Sequence, residues 1–205
     1  MRIPHHIGII PDGNRRWAQA HGMGREMGYE YGLEPGLKAL RHAKELGIQE
    51  ITCYGFTVDN CKRPKKQVEA FQKACVEAID WAAQEGVSLL VIGNAQSRCF
   101  PRELLPFTKR TTVGKGGIRV NFLVNYGWEW DLSNIRNCGK PYSQDIGRVD
   151  LIIRWGGMRR LSGFLPIQSV YADFFVEEKL WPDYADEDLD RALEWYNRQD
   201  ITLGG

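Results

Sequence analysis

The chain has 205 residues, 43% of them apolar and 26% charged, which is the size and balance of one globular domain spanning residues 1–205. Lys and Arg total 27 against 26 Asp and Glu, a net charge of +1, so the basic excess of a general nucleic-acid binder is missing and no nucleic-acid partner is expected. No apolar run approaches the roughly 20 residues that cross a bilayer, and the five cysteines contain no C-x-x-C pair, so no transmembrane segment, disulfide frame or zinc site is expected.

Met1 to His6 lacks the apolar block of a secretory leader, which points to a reduced, cytoplasmic protein. His5 and His6 read as polar residues near a chain end. Ile7 to Ile10 is a compact apolar strand that ends in the turn cluster Pro11-Asp12-Gly13-Asn14. Gly28 to Leu46 carries Leu33, Leu37, Leu40 and Ala43 at helical spacing, and Gly47 stops it. Glu50 to Phe56 is the second strand. Lys65 to Glu85 is a long helix with Val68, Phe71, Cys75, Ile79 and Ala82 on one stripe. Val87 to Ile92 is a third strand, and Glu103 to Thr112 reads as helical despite Pro106. Ile118 to Val124 and a strand beginning at Leu151-Ile152-Ile153 follow, and Asp186 to Arg198 is a final amphipathic helix. Strands separated by helices predict an α/β fold, with a central, mostly parallel sheet flanked by helices. In such sheets, ligands sit beyond the carboxyl ends of the strands.

The chemistry-bearing residues fall at those ends. After the first strand comes Asp12-Gly13-Asn14-Arg15-Arg16-Trp17. Gly13 lets a ligand approach the backbone, a helix start offers free N–H groups to a phosphate, and the arginines add forked donors. Asp12 beside them makes sense as the seat of a divalent cation that also touches phosphate. A capped turn, with Asp12 as N-cap and the arginines solvated, explains the same four residues. After the second strand lie Thr57, Asn60 and Arg63, which could orient a polar ligand or form a turn. After the fifth strand, Arg154-Trp155-Gly156-Gly157-Met158-Arg159-Arg160-Leu161-Ser162-Gly163 is a second glycine-containing basic loop. Two such loops at one sheet edge suggest two phosphorylated ligands, or one with two phosphate groups. Neither a P-loop nor a G-x-G-x-x-G fingerprint is present. Most tryptophans are expected in core or interface, with a few lining an apolar cleft beside the anion sites.

These motifs occur together and in order: Asp12-Gly13-Asn14-x-Arg16-Trp17, Gly24-Arg25, Asn60-x-x-Arg63-Pro64, Asn125-Tyr126-Gly127, Asp150-Leu151-Ile152-Ile153-Arg154-x-Gly156-Gly157, Arg160-x-Ser162 and Trp181-Pro182-Asp183. Over nearly its whole length the chain resembles the cis-prenyltransferases, whose best-known member is undecaprenyl diphosphate synthase. The resemblance implies a homodimer that takes two prenyl diphosphates and needs Mg²⁺. It implies that Asp12 holds the metal, with Asp173 standing where the family has a glutamate near it. Gly13, Asn14, Arg16 and Arg25 would bind the allylic diphosphate, and Arg15, Trp17, Tyr29 and Thr57 are further substrate-binding candidates. Asn60 and Arg63 would sit near the reacting carbons, and Arg154, Arg160 and Ser162 would grip the acceptor diphosphate.

The departures cluster around the acceptor. Tyr29 replaces a histidine, Cys61 a bulky aromatic, and Trp155 a threonine, so Trp155 is expected to occupy volume in the acceptor site. The family's C-terminal Arg-x-Gly reads Thr202-Leu203-Gly204 here. The Arg159 to Pro166 stretch looks like the small subgroup that makes lavandulyl-type products, joining two dimethylallyl diphosphates head to middle, some with cyclisation. The alternative is regular head-to-tail addition of isopentenyl diphosphate.

Overall fold

The computed structural model describes residues 2–200. Seven strands form one sheet: β1 (His6–Ile10), β2 (Glu50–Thr57), β3 (Ser88–Ile92), β4 (Thr111–Thr112), β5 (Arg119–Tyr126), β6 (Leu151–Arg154) and β7 (Asp173–Val176). Their order is β4-β3-β5-β2-β1-β6-β7. All neighbours are parallel except β3 and β4, where Ser88 and Leu89 face Thr112 and Thr111 antiparallel. The expected α/β architecture is therefore the observed one. The helices are α1 (Asn14–Ala20), α2 (Gly28–Tyr31), α3 (Leu33–Glu45), α4 (Lys65–Gln84), α5 (Trp128–Ser133), α6 (Ile135–Cys138) and α7 (Asp186–Asn197).

Every residue of β1 is buried, as a central parallel strand covered on both faces requires. Alternation along the strands divides the core in two. Ile7, Ile9, Ile51, Leu89, Val91, Leu151 and Ile153 meet the helical side, where Leu40, Ala43, Ile79, Ala82, Leu189 and Leu193 complete the larger cluster. Ile10, Leu90, Ile92, Leu123 and Ile152 point the other way, to Ile146, Val149, Phe164 and Leu165. That second face is covered mainly by the irregular chain of residues 143–172, not by a layer of long helices.

Several sequence expectations are corrected. The helix drawn from Gly28 to Leu46 is broken at Gly32: Pro35 has no N–H for the Tyr31 carbonyl, and the Gly32 carbonyl accepts from the Trp181 indole at 2.9 Å as well as from the Gly36 amide at 3.4 Å. Arg102–Phe107 is a 3-10 turn carrying Pro106, and the chain then becomes β4. Strand β7 was not anticipated; its Phe174-Phe175 run is short and only half-buried. His6 is no loose end. It lies in β1, wholly buried. Cys61 and Cys99 lie side by side, with Cα atoms 6.2 Å apart, a proximity the sequence did not suggest. The pair spans 38 residues, and only the adjacency of the turn after β2 to the segment after β3 unites it.

Candidate active site

The carboxyl ends of the parallel strands open onto a cleft of about 810 Å³. Its lining is built from three turns. The first follows β1: Gly13 has φ of 110°, and a Cβ there would lie 2.7 Å from Leu180 Cδ2, so both backbone and space demand glycine. Gly13 itself occupies the N-cap position before α1 and no side chain caps that helix, so Asp12 is not the N-cap of the plainer reading. The carboxylate of Asp12 instead faces arginines. Arg154 Nη2 donates to its Oδ2 at 2.8 Å, and Arg16 Nη2 lies 3.6 Å from Oδ1. Arg16 also donates to the Gly156 carbonyl at 2.9 Å, tying the first turn to the third.

The second turn follows β2. Thr57 Oγ1 accepts from the Asn60 amide and Asn60 Oδ1 accepts from the Thr57 amide, a reciprocal cap that fixes both side chains. Arg63 leaves this turn toward the cleft and donates to the Tyr29 hydroxyl at 2.9 Å. Burial pulls the Arg63 guanidinium below its ordinary basicity, with Tyr29 opposing and Arg15 reinforcing. Burial likewise raises the Tyr29 phenol, against the pull of Arg63 and Arg15.

The third turn follows β6. Ser162 has φ of 52°, the left-handed region that costs a non-glycine residue roughly 1–3 kcal/mol and that clusters at functional sites. Three contacts hold the turn. Tyr54 donates its hydroxyl to the Ser162 carbonyl at 2.9 Å. Arg154 Nη1 donates both to the Arg160 carbonyl and to Ser162 Oγ. Arg154 is thus a buried strut that joins Asp12 to the Arg160–Ser162 turn.

Gly13, Asn14, Arg15, Arg16, Arg25, Tyr29, Thr57, Asn60, Arg63, Arg154, Arg160 and Ser162 all line this cleft with Asp12. Among the described residues, Arg15, Arg25 and Arg160 have no carboxylate within ion-pair distance. Cations held at a cavity wall without protein counter-charges are an anion site in waiting. Tyr54, Phe71 and Tyr126 also line it. Of these, only Tyr126 stood in a motif. Tyr54 and Phe71 could have been found from their places at the end of a strand and on the inward stripe of α4.

Three expectations fail. Trp17 turns away from the cleft: its indole stacks on His21 at 4.0 Å and donates to Asp183 at 2.6 Å. One helical step of 100° from Arg16 is enough to carry it round α1. Asp173 sits at the amino end of β7, opposite Leu151 in register, and its charged neighbour is Arg2 at 4.0 Å. The cleft lies at the other end of that strand, so the structure does not bring Asp173 to Asp12. Trp155 is fully buried on the helical side, 4.8 Å from Trp181 and 5.7 Å from Tyr184. Strand alternation sends Arg154 to the cleft and Trp155 away from it, so Trp155 takes no volume from the acceptor site.

Behind the cleft lies an apolar cavity of about 110 Å³. It sits between the sheet (Ile9, Ile51, Cys53) and the helices (Leu33, Leu37, Ala78, Trp81). Asn14, Tyr29, Gly55 and Phe71 border both spaces. Burial pushes the Cys53 and Cys75 thiols up to about 12, so they serve this wall as small apolar groups.

A charged pocket backed by a hydrocarbon pocket suits a molecule with a diphosphate head and a short apolar tail. The family model of undecaprenyl diphosphate synthases matches residues 10–204. The chain belongs to the cis-prenyltransferase family. An isoprenyl transferase of Thermotoga maritima is 33% identical over an alignment covering 100% of this chain and 98% of that protein. The ditrans,polycis-undecaprenyl-diphosphate synthase of Escherichia coli, (2E,6E)-farnesyl-diphosphate specific, is 31% identical over 98% of this chain and 89% of its own. Among solved structures, lavandulyl diphosphate synthase from Lavandula x intermedia in complex with dimethylallyl diphosphate superposes with a TM-score of 0.80. It covers 98% of both chains at 23% identity, a likeness of fold. The cis-prenyltransferase assignment makes the protein a transferase of prenyl groups. Among the described residues, no helix is long and apolar enough to cross a membrane. The divergent Thr202-Leu203-Gly204 lies outside the described residues.

Proposed function

We propose that this prenyltransferase joins two molecules of dimethylallyl diphosphate head to middle. The C1–O bond of the donor breaks and diphosphate leaves with the electron pair. The C2–C3 π electrons of the acceptor form the new C1–C2 bond, leaving a tertiary cation at C3. Loss of a proton from a neighbouring carbon, or ring closure followed by proton loss, ends the reaction as a branched ten-carbon diphosphate. Asp12 and the cluster of Arg16, Arg25 and Arg63 would serve the leaving diphosphate, where charge develops. Arg160 and Ser162 would hold the diphosphate of the acceptor. The buried aromatic wall keeps water from the cation.

The Arg159 to Pro166 stretch favours head-to-middle coupling, and the size of the apolar cavity favours a short product. A cavity of about 150 Å³ holds a benzene ring. At about 110 Å³, this one suits a single five-carbon group. A hydrocarbon of eleven prenyl units would need roughly ten times that space, by the same scale. The matching experiment is incubation of the purified protein with dimethylallyl diphosphate alone. A branched ten-carbon diphosphate by mass spectrometry is expected. Product only after isopentenyl diphosphate is added would overturn head-to-middle coupling and favour regular head-to-tail addition, the reading that the isoprenyl transferase relatives support.

Mg²⁺ fits this donor set. Among the described residues, no three His, Cys, Asp or Glu side chains gather into a cage. Mg²⁺ instead takes one or two carboxylates and completes its shell with substrate phosphates and water. Asp12, Asp59 and Glu129 are the carboxylates that line the cleft, and Asp12 is the one among the arginines, while Asp59 pairs with Lys62. Bound there, the ion would neutralise charge on the departing diphosphate. A homodimer is part of the proposal. Ile167, Val170 and Tyr171 are exposed beside the thinly covered sheet face, at 46%, 65% and 63%. Apolar residues grouped beside a thin layer mark a face for a partner. Sedimentation velocity should show a dimer, and a monomer at micromolar concentration would remove this part of the reading.

A further inference from the structure

We infer that Tyr29 is the positioning residue for Arg63, and that the two act on the ligand diphosphate as one unit. The inference rests on the prenyl diphosphate reading of the cleft. Arg63 is half-buried beside Arg15, a like charge that disfavours it there. Among the described residues its guanidinium has one hydrogen-bond acceptor, the Tyr29 hydroxyl at 2.9 Å. It has no carboxylate partner, in contrast to Arg154, which Asp12 and two further acceptors hold.

A neutral acceptor has a specific consequence. It fixes the direction of a long, flexible side chain and leaves the whole positive charge unspent. The Tyr29 oxygen accepts from Arg63, so its own O–H remains to be donated, and the guanidinium polarises that O–H. Both groups line the cleft. A third residue stiffens the pair. The Phe71 ring stacks on Tyr29 at 4.4 Å with the planes 2° apart, and its centroid lies 5.8 Å from Arg63 Cζ. Tyr29 comes from α2, Arg63 from the turn after β2, and Phe71 from α4. Three separate elements are therefore locked together at the border between the charged cleft and the apolar cavity.

A double-mutant cycle tests the unit. Tyr29→Phe keeps the ring and its stack on Phe71 but removes the hydroxyl. It should lower kcat/KM for prenyl diphosphate about 10- to 100-fold, the worth of a hydrogen bond to a charged group. Arg63→Lys should cause a loss of similar size. In the Tyr29→Phe background, Arg63→Lys should cost less than about threefold more, because the two residues do one task. Losses that multiply, or a Tyr29→Phe enzyme with unchanged kcat/KM, would overturn the inference. The same cycle is read on the affinity for inorganic diphosphate by calorimetry. If the wild-type protein converts no prenyl diphosphate, the reaction proposed above fails alone. The diphosphate affinities then decide the Tyr29–Arg63 pairing by the same criterion of non-additivity. An unchanged thermal midpoint for Tyr29→Phe excludes a loss of fold as the cause.

Discussion

The two ends of the sheet use the same kinds of side chain to opposite effect. At the amino end, Arg110, Arg119, Glu50, Asn121, Thr52 and His6 form a network of mutual hydrogen bonds and ion pairs, with only Arg110 Nε and Arg119 Nε left over among its buried side-chain polar atoms. Arg110 donates to Asn121 at 2.6 Å, and Asn121 donates to Glu50 and Thr52 at 2.8 and 2.9 Å. His6 Nδ1 faces the Gly147 and Arg148 carbonyls, which only accept, so it carries the proton and Nε2 accepts from the Thr52 hydroxyl at 2.8 Å. At the carboxyl end, Arg15, Arg25 and Arg160 surround a large cleft with no such partners. The lesson is that charge alone does not mark a site; charge left without a counter-charge at a cavity wall does.

The contrast can be broken at either end. The largest effect is expected at the cleft: Asp12→Ala should lower turnover more than about 1,000-fold, as loss of a group acting on developing charge does, with the circular dichroism spectrum retained. At the other end, Asn121→Ala should lower stability by about 2–4 kcal/mol, because Arg110, Glu50 and Thr52 all lose the side-chain amide they share. Chemical denaturation measures that loss, and turnover per folded molecule should be unaffected. Arg160→Ala should raise KM for the acceptor about tenfold with no change in the melting midpoint, since among the described residues its guanidinium has no ion-pair partner. A fall in midpoint would mean that the residue is structural.

A smaller effect separates the ends by pH. Burial lowers the His6 pKa below 6.5, against the raising influence of Glu50, the Arg148 and Gly147 carbonyls, and Asp150. The unfolded chain therefore binds a proton that the folded one resists, and stability falls as pH drops below about 6.5. Charging the ring also ends its acceptance from Thr52. The acid-side decline in melting midpoint should be shallower in His6→Asn, and an identical slope would remove His6 from the account. The smallest effect belongs to Trp17→Phe, which should change turnover less than about twofold while costing about 1 kcal/mol of stability through the lost bond to Asp183.

Much of the fold was legible because burial writes itself as periodicity. The helical stripe of Lys65 to Glu85 and the apolar runs at Ile7, Val87 and Leu151 needed no tertiary knowledge. The break at Gly32 had a local sign in Pro35, but the tryptophan 149 residues away that also binds the Gly32 carbonyl had none. His6 misled for a similar reason. A histidine beside a chain start has no local sign that Thr52 and two carbonyls await it. At the site, turn residues that follow strands were found because parallel topology sends strand ends to one edge. Trp17, Trp155 and Asp173 were misplaced because a place in a motif, beside one or in a family's pattern says nothing about which way a side chain faces.

The amino-acid sequence by itself determined the α/β class, the strands that carry ligand-binding turns, and the arginine-rich chemistry of those turns. These are local properties: spacing, turn residues and charge at known offsets from a strand end. Only the tertiary structure decided that Arg154 is a strut, that Arg63 rests on a phenol, and that the hydrocarbon pocket holds about 110 Å³. Each of these depends on distances between residues far apart in the chain, which are set when the two faces of the sheet are packed and not before.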